Sequence, residues 1–248
     1  VTFVKPSPFF SRKEQAMKAF ENKAALKELC LELTKQSELL KQFASLSIAE
    51  KSLQAQIDLR RLSGFEECTR FEHELAIPAQ LLYVAHKLSG NLPANLAASW
   101  SYEFFSSIRV GADLQRVIPQ LAAWLLTDLE YGAIAHAASD DTRRAIREIA
   151  QLCVAKGKTA IDWRNALEKF SAVSRLNSAE ITFEITRAVG WAIFSANAAQ
   201  RAENLAGAVD RILFARTGAV PSFKDHLSIR TALVTKQTGK LLELLRAA

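Results

Sequence analysis

Glycine and proline are scarce in this 248-residue chain, nine and six respectively, so few residues mark the tight turns on which β-proteins depend. No segment alternates apolar and polar residues with a period of two, the usual sign of a half-buried strand. No apolar run reaches the roughly 20 residues of a membrane-spanning helix; the longest, Val117 to Leu129, is shorter and interrupted. Val1 to Phe10 lack the charged region, long apolar stretch and small-residue cleavage site of a signal peptide. The three cysteines, Cys30, Cys68 and Cys153, are odd in number and widely spaced. That argues against a disulfide framework and implies a reducing, cytoplasmic setting.

Catalytic signatures are equally thin. Four histidines supply neither the Glu-x-x-His pairs of helical di-iron sites nor a His-Glu-x-x-His zinc motif, so no metal or cofactor is expected. Glycine-rich phosphate loops and the Gly-x-Ser-x-Gly elbow do not occur. Arg followed four to six residues later by His, the spacing of helical HEPN-type ribonucleases, is missing too.

Hydrophobic residues make up 49% and charged residues 23% of the chain, a balance that suits a folded protein rather than a disordered one. Ala, Leu, Glu, Lys and Arg are plentiful, and these favour helix. The composition therefore predicts an all-α protein without β-sheet, built from eight to ten helices as a multi-helix bundle or an irregular α-solenoid.

Apolar residues at helical spacing predict one long helix over 12–44 and a second over 47–61, together an N-terminal hairpin over 1–62. The remainder, 63–248, reads as the main helical domain, with a sub-boundary near 138. Within it Ser63 and Glu66 have capping-box spacing, and Pro78 imposes a bend or restart. A short helix runs from Pro93 to about Ile108, and a long apolar helix from Asp113 to Ala138. Ser139, Asp140 and Asp141 start the next, which Gly157 stops. Thr159 and Asp162 start another. A single Ala-rich helix is expected from Ser178 to about Arg216, and a basic amphipathic one after Pro221.

Charge is uneven. Eleven basic residues face seven acidic ones over 1–62, four face eight over 63–138, and seventeen face eleven over 139–248. The densest polar cluster, Glu66, Glu67, Cys68, Glu72, His73 and Glu74, could gather a thiol, an imidazole and carboxylates. Cys68, Glu72 and His73, with Asn197 and Gln200 of the Ala-rich helix, are thus the candidates for a polar pocket. They read otherwise as a solvated acidic face and as amides that tie helices together. Trp100, Trp124, Trp163 and Trp191 sit among apolar neighbours and read as core. Arg143, Arg144 and Arg147 form the clearest basic cluster, suited to carboxylate or phosphate partners or to the acidic middle of the chain itself.

The stretch Ser139-Asp140-Asp141-Thr142-Arg143-Arg144-Ala145-Ile146-Arg147, continuing to Gly157, resembles a segment of the helical immunity proteins of bacterial toxin systems. The run Arg187-Ala188-Val189-Gly190-Trp191-Ala192, continuing through Ala215, is similar to the Ala-rich helix that follows in that family. The resemblance covers about residues 121–216, and this chain has Trp191 and Asn197 where the family carries histidines. It implies a non-enzymatic protein-interaction module that binds and neutralises a toxin, with Arg143, Arg144 and Arg147 on the binding face. Two alternatives stand beside it: a nucleic-acid-binding protein that uses its basic ends, and a helical enzyme with a pocket near Cys68 and His73.

Overall fold

The computed structural model describes residues 31, 35, 59–109, 111–177, 180–217 and 223–248. The helices expected over 12–44 and 47–61 lie almost wholly outside the described residues. Nine α-helices and no strand occur among those described: α1 (Phe65–Leu75), α2 (Ala79–Asn91), α3 (Ala94–Ser106), α4 (Val117–Thr127), α5 (Asp140–Val154), α6 (Ala160–Asn177), α7 (Glu180–Phe194), α8 (Ala198–Thr217) and α9 (Phe223–Ala247). The fold is all-α.

Local chemistry explains most of the helix ends. The capping carboxylate of α1 belongs to Glu67 rather than Glu66, because the helix begins at Phe65 after Gly64. Glu67 Oε2 accepts both the backbone N–H and the hydroxyl of Ser63, at 2.7 and 3.1 Å. Ala76 in the left-handed region ends α1, and Pro78 then opens α2 as a new helix. Ser139 Oγ accepts the N–H of Thr142 at the start of α5. Thr159 and Asp162 form a reciprocal capping pair ahead of α6.

Two expected helices are corrected. The span 113–138 holds α4 only between a one-turn 3-10 segment at Leu114–Arg116 and another at Ala133–His136. Asp128 breaks it: its Oδ1 accepts the N–H groups of Glu130 and Tyr131, at 3.0 and 2.7 Å. Such side-chain bonds compete with helix continuation. Gly132 then packs so tightly that a Cβ there would lie 2.7 Å from both the N and O of Asp128.

The Ala-rich span is likewise two helices, α7 and α8, separated by Ser195, Ala196 and Asn197. Asn197 Oδ1 accepts the Gln200 N–H at 3.0 Å and caps α8. Arg201 donates to the Ser195 carbonyl at 2.8 Å, which satisfies the end of α7.

The helices close into a bundle. In a solenoid each repeat would touch only its neighbours, whereas α2 packs on α8 and α9, and α4 packs on α5, α7 and α9. Asn91 at the end of α2 stitches this closure: its Nδ2 donates to Asp210 of α8 at 3.0 Å and its Oδ1 accepts from Arg230 of α9 at 2.7 Å. The buried core runs continuously from Leu59 to Leu245. Trp100 donates its indole N–H to the Ala85 carbonyl within it, at 3.1 Å. His86 Nδ1 donates to the Leu59 carbonyl and pins the turn ahead of α1 onto α2. The α7–α8 contact is the most extensive, because buried Ala188, Ala192, Ala202 and Ala206 let the two backbones approach closely.

Candidate functional site

Helix α7 is apolar on more than one face. Ile185, Val189 and Ala192 are buried at the spacing of one helical stripe. Phe183, Arg187, Trp191 and Phe194, about half a turn round the helix, form a second stripe turned toward a cavity between α6 and α7. Across it α6 presents Arg164, Leu167, Glu168 and Ser171 at its own helical spacing. The floor is aromatic: Phe170 of α6 is buried and stacks on Phe183, with centroids 5.9 Å apart and planes 10° from parallel. The cavity measures about 600 Å³, within the usual range for ligand sites.

Trp191 stands at its margin, 40% exposed, and packs against Phe194 with centroids 6.1 Å apart. Single exposed apolar residues are ordinary. A half-exposed tryptophan in a concave apolar site is less so, since burying it on a partner would remove a large area from water. Arg164 makes no hydrogen bond or ion pair among the described residues, and Arg187 is only 4.0 Å from Glu184.

A second cavity of about 250 Å³ continues from the first between α7 and α8. It shares Arg187 and Trp191, and adds Glu184, Gln200, Asn204 and Arg211.

Most of the sequence-derived candidates lie away from these two cavities. Arg143 and Arg144 pair with Asp140 and Asp141 of their own helix, at 2.9 and 3.4 Å. Arg147 lies beside them on the exposed side of α5. Cys68 is fully buried, and burial pushes its thiol up to about 11. His73 on the same helix is exposed and Glu72 half-buried, and none of the three lines either of these cavities. Asn197 and Gln200 belong to the α7–α8 turn, where Gln200 Oε1 accepts the Ser195 hydroxyl at 3.0 Å. Only Gln200 of these residues lines the cavity beside Trp191. Among the described residues no group of three or more His, Cys, Asp or Glu side chains could hold a metal ion. None of the helices searched is long and apolar enough to cross a membrane.

The sequence assigned Trp191 to the core and Arg187 only to the resembling run, and it singled out neither Arg164 nor Arg211. The signal lay in α7, whose apolar residues are too many for one stripe: Phe183, Trp191 and Phe194 cannot share a face with Ile185, Val189 and Ala192. Comparison with known proteins adds no relative: no family model matches the chain, and no curated protein or solved structure matches it significantly.

Proposed function

We propose that this chain is a helical protein-interaction module that receives an apolar, acidic segment of a partner protein in the groove between α6 and α7. The observation that carries the reading is Trp191, 40% exposed, above an aromatic floor with Arg164 and Arg187 at the rim. Tryptophan and arginine dominate the energetics of interfaces when a partner desolvates them. The guanidinium groups would speed encounter with an acidic partner.

In its sharper form the partner is a toxin that the chain neutralises by occlusion, a role that needs no catalytic residue. This form rests on the resemblance over residues 121–216 alone. The nucleic-acid reading loses support from α5, because Arg143 and Arg144 already hold Asp140 and Asp141 and so offer less free charge to a phosphate backbone.

The test is affinity capture from the native host after nuclease treatment, with wild type, Trp191→Ala and the triple charge reversal of Arg143, Arg144 and Arg147 to Glu. One stoichiometric protein retained by wild type and by the triple variant, but lost by Trp191→Ala, is the expected result. Equal retention by Trp191→Ala removes the groove from the reading. Nucleic acid alone, lost on nuclease treatment, replaces it. A captured protein whose toxicity falls at a one-to-one ratio supports the neutralising form, and one with no toxicity removes that form.

A further inference from the structure

We infer that the smaller cavity between α7 and α8 is a carboxylate site, which takes an Asp or Glu side chain flanked by large apolar residues of the segment lying in the α6–α7 groove. The inference rests on the groove reading above and specifies what the partner must carry.

Two guanidinium groups from different helices meet at this cavity and share one internal carboxylate. Arg187 of α7 lies 4.0 Å from Glu184, and Arg211 of α8 lies 3.7 Å from the other oxygen of the same group. Good charge-assisted N–H to O contacts are 2.7–2.9 Å, so Glu184 satisfies neither arginine fully, and one positive charge remains uncompensated. Arg211 is held back over its own helix: a Cβ at Gly207 would come within 2.7 Å of its Nη1. Glycine at 207 therefore makes room for the guanidinium where it lines the cavity.

Amides complete the donor set. Gln200 spends its Oε1 on the Ser195 hydroxyl, which leaves the Nε2 donors, and Asn204 lies one turn further along α8 at the same cavity. An arginine pair with neighbouring amide donors matches a planar anion with several lone pairs, and a carboxylate is the small group of that kind a protein segment offers.

The position of the cavity decides between a side chain and a chain end. Arg187 and Trp191, which both cavities share, occupy the middle of the α7 stripe that runs from Phe183 to Phe194. A segment lying along that stripe passes the cavity with residues on both sides, so its side chain enters rather than its terminus. Trp191, as the common wall, requires an apolar neighbour next to the acid.

The experiment uses the full chain and three probes: N-acetyl-leucyl-glutamyl-phenylalanine amide, its glutaminyl counterpart, and N-acetyl-phenylalanine with a free carboxylate. Binding is followed by the indole N–H resonance of Trp191, assigned with Trp191→Phe. The glutamyl peptide is expected to bind about tenfold more tightly than the glutaminyl one, the difference expected for a charge-assisted contact. Arg211→Gln should abolish that preference, and Glu184→Gln, which removes the internal competitor, should strengthen glutamyl binding. A gain of binding cannot come from failure to fold.

Equal binding of the two peptides, binding of neither, or an unchanged preference in Arg211→Gln overturns the inference. Tighter binding of N-acetyl-phenylalanine than of the glutamyl peptide also overturns it, in favour of a chain end. The two readings fail separately. A partner captured equally by wild type and Arg211→Gln keeps the groove and removes the carboxylate site; glutamyl preference without a captured protein does the reverse.

Discussion

Leu167 of α6 lies against Gly190 of α7 so closely that a Cβ at residue 190 would sit 3.0 Å from its Cδ2. This approach holds the two helices together where Phe170 stacks on Phe183, and so fixes the width of the groove. Glycine inside a helix costs about 1 kcal/mol relative to alanine, and the Leu167 side chain is half-buried at the groove margin, with room to turn. Gly190→Ala should raise stability in urea by about 0.5 kcal/mol while weakening partner retention, because the displaced leucine narrows the groove. A loss of stability beyond about 1 kcal/mol would show that Leu167 cannot yield.

The two tryptophans Trp191 and Trp100 should respond in different proportions. Trp191 is 40% exposed and Trp100 only 2%, and Trp100 also donates to the Ala85 carbonyl. Trp100→Ala should cost about 3–5 kcal/mol of stability. Trp191→Ala should cost less stability, about 1–2 kcal/mol, and about 2 kcal/mol or more of partner binding. Urea unfolding and a binding titration on the same samples separate the two effects.

Gly132 should not tolerate alanine. Its Cβ would meet backbone atoms of Asp128 at 2.7 Å, and backbone cannot move aside as a side-chain tip can. The turn that follows α4 would have to shift, with a loss of about 2 kcal/mol or more, read as a lowered unfolding midpoint. Wild-type stability in Gly132→Ala would mean that the turn is loosely held.

Thiol chemistry reports the core. Burial pushes Cys68 up to about 11 and Cys153 up to about 12, against an ordinary value of 9.0. Both thiols should resist a water-soluble disulfide reagent at pH 8 until the chain unfolds, because only the thiolate reacts readily. The folded pKa values lie above the unfolded ones, so this contribution to stability is complete below pH 9.0 and is lost as pH rises through 11 and 12. Rapid labelling of Cys68 or Cys153 in the native protein would contradict their burial.

Two capping carboxylates set the acid side. Hydrogen bonds from the Ser63 N–H lower Glu67, and those from the Thr159 N–H and hydroxyl lower Asp162. Folded values below the unfolded ones give stability that is present above the ordinary values of 4.5 and 3.8 and is lost as pH falls through the lowered ones. Urea midpoints measured from pH 6 down to pH 3 should therefore fall. Asp162→Asn should remove part of that slope, and an unchanged slope would place the acid sensitivity elsewhere.

Much of the architecture was legible because helix ends are written locally. Ser139 before Asp140 and Asp141, Thr159 before Asp162, and Pro78 and Pro93 each act within one turn of chain, and each marks a helix start. The break at Asp128 was hidden, since an aspartate in an apolar stretch suits a turn or a helix equally until Gly132 closes on it. The break at Ser195–Asn197 was hidden by alanine on both sides, whose helix propensity masks a cap. At the site, polar residue types pointed to Cys68, Glu72 and His73, whereas the cavities are walled by Trp191 and by Arg164, Arg187 and Arg211, which no local pattern marks as a site.

By itself the sequence determined an all-α chain with most of its helix starts, because propensity and capping act between residues a few positions apart. Only the tertiary structure decided that the helices close into a bundle. That closure depends on Asn91 meeting Asp210 and Arg230, partners more than a hundred residues away that no local pattern joins. It likewise decided that Trp191 faces a cavity instead of the core. Which of two apolar stripes on α7 is buried depends on what packs against the helix: α4, α5, α6 and α8 all contact it, and Ile185 and Val189 are buried while Trp191 is left 40% exposed.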